Sequence, residues 1–389
     1  MSRDPQAKLL QALHKRSSEG NLRSLTVHEQ GIDFCSNDYL GLSRSEDLEH
    51  RIEQLREQHH GMTRGSTGSR LISGNSRLAE QLEQDIADFH GAETGLLFSS
   101  GYAANSGLIA AVAGIGDSLI MDELIHASCV DGARLSKADK LIFRHNDLDD
   151  LSEKLRTAHG NSGGGSVFVV VESLYSMDGD FAPLGELLSL CSESGAGLIV
   201  DEAHTNGITG KHGCGSLAGL PNADSVFARI HTFGKGLGLH GAIVLGSKSL
   251  RKFLINFCRP FIFSTAPSHD SLLNIQGAYS LLPELDLQRE HLFSLVRRFR
   301  ELIPGSSHRW LDSNSWIQSL LIPGNQAVVA AADQLQEQGF LLKAIRTPSV
   351  PAGTERIRIC LHASNTVREI ETLFEALEEP QCVDISLRA

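Results

Sequence analysis

Apolar positions along the 389-residue chain fall into two regimes. Between about residues 75 and 250, short continuous apolar runs alternate with segments whose apolar residues recur at helical spacing. The runs at 94–98, 118–121, 166–171, 197–200, 225–230 and 242–245 predict buried strands, and the segments at 76–90, 102–115 and 183–194 predict helices. Such alternation predicts an α/β fold, a mostly parallel sheet covered by helices, with ligands beyond the carboxyl ends of the strands. Past residue 260 the pattern changes to a helix over 289–303, a strand over 316–322, a helix over 326–339, an alternating strand over 356–361 and a helix over 367–377. This predicts a smaller C-terminal α+β domain. The expected division is an N-terminal arm over 1–45, a large domain over 46–255 and a small domain over 256–389.

Composition narrows the function classes. Apolar content of 41% and charged content of 21% are those of an ordinary soluble globular protein. A formal net charge of −12 argues against binding a phosphate backbone, so no nucleic-acid partner is expected. The seven cysteines are scattered, odd in number and without a C-x-x-C pair, which suggests neither a disulfide framework nor a zinc site. Residues 1–16 lack the apolar core of a signal peptide, and no apolar run approaches the ~18 residues of a membrane span. A cytoplasmic protein with no membrane partner is expected.

The candidate chemistry sits at the strand ends. The strand over 197–200 runs into Asp201-Glu202-Ala203-His204, and the next runs into Thr232-Phe233-Gly234-Lys235-Gly236. A lysine in a loop is most often a solvated charge, but glycines on both sides and a buried strand before it suit a confined amine. A carboxylate, a histidine and a lysine at neighbouring strand ends match the needs of pyridoxal phosphate (PLP): an amine for its aldehyde, an anion for its ring nitrogen and a partner for its phenolic oxygen. Asp201 alone would more often be a helix N-cap. Ser99-Ser100-Gly101-Tyr102 lies between a buried strand and an Ala-rich helix, so the Gly101 and Tyr102 amides offer an anion site at a helix start. His126, just past the strand that ends Met121-Asp122, is placed to stack on a flat ring.

Two motifs fail on context. Asp201 to His204 spells a helicase motif, yet no G-x-x-x-x-G-K-[ST] phosphate loop precedes it. Gly236 to Gly241 matches G-x-G-x-x-G, but a strand follows it where a dinucleotide fold has a helix.

Seven segments in order carry a resemblance spanning roughly residues 20–378. They are Ser36 to Gly41, Gly65 to Arg70, Ser100 to Asn105, Tyr175 to Asp180, Asp201 to His204, Thr232 to Gly236 and Ala344 to Thr354. Together they resemble the α-oxoamine synthases, PLP enzymes with the aspartate-aminotransferase fold. The resemblance implies that Lys235 carries PLP, that Asp201 pairs with the ring nitrogen and His204 with the phenolic oxygen, and that His126 stacks on the ring. It implies that Gly101, Tyr102 and Thr232 hold the phosphate with Ser264 and Thr265 of a second subunit, so that the sites of a homodimer lie at the subunit interface. Ser176 would also touch the cofactor. Asn37 and Arg358 match positions that hold the amino-acid carboxylate, and Arg23 and Ser349 match acyl-substrate positions, Ser349 standing where threonine is typical. No metal is implied.

The stretch over 344–354 resembles the branch that condenses L-alanine with a pimeloyl thioester, carried on coenzyme A or an acyl carrier protein, with loss of CO2. Sister reactions of the family, glycine C-acetyltransferase, 5-aminolevulinate synthase and serine palmitoyltransferase, would share most of the site. An ordinary aminotransferase is another reading. A non-catalytic subunit is one more, against which the presence of Lys235, Asp201 and His204 argues.

Overall fold

The structure, a computed structural model, describes residues 4–27, 30–59, 61, 63, 65–161 and 163–379. The chain divides into two compact units, one of Asn37–Ser176 and Phe181–Arg289, the other of Met1–Ser36, Met177–Asp180 and Glu290–Ala389. Cys382 lies outside the described residues.

In the second unit a helix, Pro5–Ser18, leads to a two-residue strand β1 (Ile32–Asp33). The first unit is built on a seven-stranded sheet: β2 (Thr94–Phe98), β3 (Ser118–Asp122), β4 (Asp139–Phe143), β5 (Val167–Glu172), β6 (Gly197–Asp201), β7 (Ala228–Thr232) and β8 (Ala242–Gly246). Their order is β2-β8-β7-β6-β5-β3-β4. Neighbours run parallel except β8, which is antiparallel to both β2 and β7. The carboxyl ends of β3, β5, β6 and β7 therefore share one edge, and β8 starts there.

Both faces of this sheet are dry, which explains the continuous apolar runs in the sequence. Leu119, Met121, Phe168, Val170, Ile199 and Ile230 point to one core, and Ile120, Val167, Val169, Val171, Leu198 and Val200 to the other. Helices Gly101–Val112 and Ala127–Leu135 cover the first face, and helices Leu148–Asn161 and Leu184–Ser194 the second.

Three features differ from expectation. Strand β4 carries no apolar run because it is the sheet edge, with Asp139, Lys140 and Ile142 exposed. Strand β7 begins at Ala228 and not at 225, because Asn222 adopts a left-handed φ of 63° and the chain turns through Ala223–Ser225 first. The helix Ala127–Leu135 has little apolar periodicity; Gly132 lets it press on its neighbour, where a Cβ would meet the Ser106 Cα at 2.9 Å.

The unit boundary also differs from the expected one. Residues 256–289 belong with the sheet, since helix His269–Leu281 packs on helix Glu46–Gln58. Gly277 permits the contact: its missing Cβ would sit 2.9 Å from Ile52.

Deep in the same unit the rings of His90 and His231 stack at 3.9 Å. His90 Nδ1 lies 3.0 Å from the Cys214 carbonyl and Nε2 3.0 Å from the Tyr279 hydroxyl. Burial, with Arg229 adding, pushes His90 down to about 3, and burial pushes His231 well below the usual histidine range. Both rings stay neutral in the fold while an unfolded chain protonates near pH ~6.5. Their contribution to stability is therefore full above that pH and lost as pH falls toward 3. The midpoint of urea denaturation should drop already between pH 6.5 and 5, above the ordinary carboxylate range. A flat midpoint over that interval would contradict neutral burial of the pair.

The second unit pairs β1 in parallel with β10 (Phe340–Leu341). Its three-stranded antiparallel sheet runs β11 (Lys343–Ile345), β12 (Arg356–Cys360), β9 (Ile317–Leu321). Helix Val367–Glu378 opens with a capping box between Thr366 and Glu369, and its Phe374 stacks on Trp310 at 5.9 Å. The short insert Met177–Asp180 is held there through Asp178, whose carboxylate accepts from Arg356 at 2.8 Å. Its Gly179, at φ +79°, lies so close to the Ile317 carbonyl that a Cβ would come within 2.1 Å.

Candidate active site

Lys235 lies in the turn between β7 and β8. Backbone bonds from Leu239 to the Phe233 carbonyl (2.7 Å), from Gly238 to the Lys235 carbonyl (2.9 Å) and from Phe233 to the Gly241 carbonyl (3.0 Å) fix that turn. Gly238 takes a φ of +65°, open to glycine at little cost, and Gly236 passes so near Asn206 that a Cβ would meet its carbonyl at 2.7 Å. The glycines around the lysine are thus demanded by the turn itself.

The amine of Lys235 reaches His204 Nε2 at 2.6 Å. On the other side of that ring, Nδ1 lies 2.7 Å from the Tyr39 hydroxyl, which donates to Asn37 Oδ1 at 2.9 Å. Because the phenol spends its proton on Asn37, it accepts from Nδ1–H, and Nε2 is left to accept from the lysine. Tyr39 is fully buried and His204 nearly so. The chain Lys235, His204, Tyr39, Asn37 therefore sets the tautomer and the position of the amine together.

Asp201 ends β6, the neighbouring strand, and is 6% exposed. Its Oδ1 accepts from the Ala203 amide at 2.9 Å and its Oδ2 from Asn105 Nδ2 at 2.6 Å. Each oxygen retains a lone pair for a further donor. Asn105 also donates to Ser128 Oγ at 3.0 Å, and Ser128 lies 2.7 Å from His126 Nδ1 through its hydroxyl and 3.2 Å through its amide. Nδ1 is thus an acceptor and Nε2 carries the proton. Burial pushes the His126 imidazole down; Lys235 adds to this and Asp201 opposes it, so the ring is neutral.

Ser100 caps helix Gly101–Val112, its hydroxyl accepting from the Ala103 amide at 3.1 Å. The amides of Gly101 and Tyr102 stand at the helix start, where no turn precedes them to accept. Thr232, the last residue of β7, presses against that start: a Cβ on Gly101 would sit 2.5 Å from Thr232 Cγ2. The half-exposed Tyr102 phenol donates to Asp131. Ser176 is buried and ends the stretch Asn37–Ser176 of this unit.

In the other unit the expected acyl-substrate residues touch. Arg23 donates to Ser349 Oγ at 3.1 Å on an exposed face, and Arg346 donates to the Gly20 carbonyl at 2.9 Å, tying the N-terminal segment to the 344–354 loop. Arg358 is half-buried on β12, opposite Ser319 and Lys343.

The structure thus brings together Lys235, His204, Asp201, His126 and Asn37, and separately Arg23 with Ser349. Ser264 and Thr265 lie in the loop before helix His269–Leu281, and no described hydrogen bond joins them to Lys235 or its partners. Tyr39, Asn105 and Ser128 were missed as site residues. Tyr39 could have been picked out, since it stands in the polar run Ser36-Asn37-Asp38; Asn105 and Ser128 carry no signal in sequence. Glu202, the second letter of the helicase-like string, faces away from this chemistry: fully buried, it accepts from Arg229 Nε at 2.9 Å and from the Ser216 amide at 2.5 Å. Among the described residues no group of three or more His, Cys, Asp or Glu is placed to hold a metal, and no helix is long and apolar enough to cross a membrane.

A family model, "Aminotransferase class I and II", matches residues 29–377. An 8-amino-7-oxononanoate synthase from Emericella nidulans is 41% identical, covering 95% of this chain and 94% of that protein. The chain belongs to the class I and II aminotransferase family, on its 8-amino-7-oxononanoate synthase branch. A second member of the branch, from Alkalilimnicola ehrlichii, is 40% identical over 89% of this chain and 87% of its own. Among solved structures of the family, a serine palmitoyltransferase from S. paucimobilis with a bound PLP–myriocin aldimine superposes with a TM-score of 0.89 at 26% identity, covering 98% and 100% of the two chains. An 8-amino-7-oxononanoate synthase from Francisella tularensis does so with a TM-score of 0.75 at 26% identity, covering 92% and 100%. The expected fold class, an aspartate-aminotransferase-like α/β architecture, is therefore that of the family.

Proposed function

We propose that the chain is a PLP-dependent acyltransferase that condenses L-alanine with a pimeloyl thioester to 8-amino-7-oxononanoate, releasing CO2 and a free thiol, in biotin biosynthesis in the cytoplasm. The observation that carries this reading is the amine of Lys235 held 2.6 Å from His204, beside a buried Asp201 on the neighbouring strand. The residues present fit the cofactor: an oriented amine, a buried carboxylate with spare lone pairs, a neutral imidazole and a helix start whose backbone is bared by Gly101.

PLP, when bound, supplies the electron sink that makes the substrate Cα–H acidic. Everything else falls to the chain. Lys235 would anchor the cofactor, and its amine, once free, would take the proton from the substrate Cα and return one after condensation. His204, through its bond to Tyr39, keeps that amine aimed. Asp201 holds a proton on the ring nitrogen. His126 offers its ring face to the cofactor and its Nε2–H to the carboxylate that departs as CO2. Gly101, Tyr102 and Thr232 take the phosphate, with Ser176 alongside and Ser264 and Thr265 reaching a partner's site in a homodimer. Asn37 and Arg358 hold the alanine carboxylate. The Arg23–Ser349 pair meets the acyl chain, delivered on coenzyme A or a carrier protein.

A sister reading has its own support: the serine palmitoyltransferase superposes with the higher TM-score, 0.89 against 0.75. Sequence favours the oxononanoate branch, at 41% identity against 26%. Mass spectrometry of products from alanine, glycine or serine, each with pimeloyl and palmitoyl thioesters, separates the two. 8-Amino-7-oxononanoate from alanine and a pimeloyl donor is expected; a long-chain product from serine would overturn it.

A further inference from the structure

Glu172 has no part in the chemistry above, yet it ends β5 in register with Asp201 on β6. In-register residues of adjacent parallel strands point their side chains to the same face, with strands about 4.8 Å apart. Asp122 ends β3 on the other side of β5 but, one residue past the Met121–Val170 pair, lies level with Val171 and so points to the opposite face; all three carboxyls are buried, Asp122, Glu172 and Asp201 being 0%, 3% and 6% exposed. Two of them are compensated. Asp122 accepts from His145 Nδ1 at 2.9 Å and from the Asn146 amide at 3.0 Å, and Asp201 accepts from Asn105 and the Ala203 amide. Glu172 has no such donor among the described residues: its Oε1 is buried with no hydrogen-bond partner. A buried carboxylate with one oxygen unpaired beside another anion is an unfavourable arrangement, and a proton on the orphan oxygen resolves it.

We propose that Glu172 works as a neutral acid at the edge of the site, and that by staying uncharged it leaves Asp201 as the anion for the ring. The inference rests on the PLP reading in its second half only. Burial, then Asp201, push the Glu172 carboxyl up to about 8; Lys235 and the His126 amide pull it down and Asp122 adds a smaller upward push. Cys129 and Tyr175 also feel its charge, each pushed up mainly by burial. Above that pH Glu172 would set a second negative charge beside Asp201 and facing Lys235.

The sign follows from linkage. The folded chain keeps a proton that the unfolded chain releases near pH ~4.3. The stabilisation is full below that pH and is lost as pH rises to about 8.

Two measurements test the proposal. On apoprotein at pH 7, infrared spectroscopy should find a protonated-carboxyl band that is absent in Glu172→Gln, and raising pH from 5 to 9 should lower the melting temperature of wild type more than that of E172Q. On protein titrated with PLP at pH 7, E172Q, uncharged like the proposed acid, should bind as wild type does. No band lost in E172Q, or PLP binding by E172Q about tenfold weaker than wild type, would overturn the neutral acid. If wild type itself fails to bind PLP, the proposed function falls and the apoprotein measurements still judge the protonation of Glu172.

Discussion

A Lys235→Ala protein should fold as wild type does, take up PLP without the visible absorbance of the lysine-linked form, and have no measurable turnover. The fold is unaffected because the turn carrying Lys235 is closed by backbone hydrogen bonds and by glycines packed against neighbours, none of which uses the lysine side chain. Activity disappears because one nitrogen serves three purposes: anchor, base and acid. Loss of a positioned base alone costs ~10²–10⁴ in rate. The anchor adds to this, because without the preformed lysine link the substrate amine has no readily exchanged bond to displace. His204 is no replacement, since its Nε2 lies 2.6 Å from the place the amine vacates and the bond from Nδ1 to Tyr39 holds the ring there. Absorbance, melting temperature and alanine-dependent product formation on one preparation read all three expectations. An active variant with wild-type absorbance would remove Lys235 from the chemistry.

Glu202→Ala should be the most damaging change to stability, by ~3–5 kcal/mol, the usual result of stripping one partner from a buried ion pair. Glu202 is fully enclosed, and its two oxygens serve Arg229 Nε at 2.9 Å, the Ser216 amide at 2.5 Å and the Leu217 amide at 3.4 Å. Truncation leaves the Arg229 guanidinium buried with the His90 and Cys214 carbonyls as its remaining acceptors. It also strands the Ser216 and Leu217 amides, and with them the turn at Gly215, whose φ of +99° brings it against the carboxylate. Glu202→Gln keeps the shape and some hydrogen bonds and should lose less. Urea denaturation of the three proteins gives the ranking, and an alanine variant as stable as wild type would mean that the pair is not desolvated.

The legible parts of this molecule are those where one residue type meets one local demand. Strands β2, β5, β6 and β8 could be read because both sheet faces are dry and their runs are apolar throughout. Strand β4 escaped because an edge strand tolerates Asp139 and Lys140, and helix Ala127–Leu135 because a glycine contact holds it in place of an apolar stripe. In the site, Lys235, Asp201 and His204 announced themselves by standing at strand ends. Asn105 and Ser128 did not, since an asparagine in an Ala-rich helix looks the same whether or not it meets a carboxylate 96 residues away. The unit boundary was missed for a related reason: residues 256–289 reveal their allegiance through contacts with helix Glu46–Gln58, not through composition.

Strand β1 pairs with β10, placing Ile32 opposite Phe340 and Asp33 opposite Leu341. A chain emerging from the ribosome makes its first strand long before that strand has a partner. At 5–20 residues per second the interval is roughly 15–60 s, during which the sheet-bearing unit, Asn37–Ser176 and Phe181–Arg289, is completed. The order of assembly is thereby imposed by synthesis. The nascent chain can assemble Lys235 and its partners while β1, made earlier, still waits for β10.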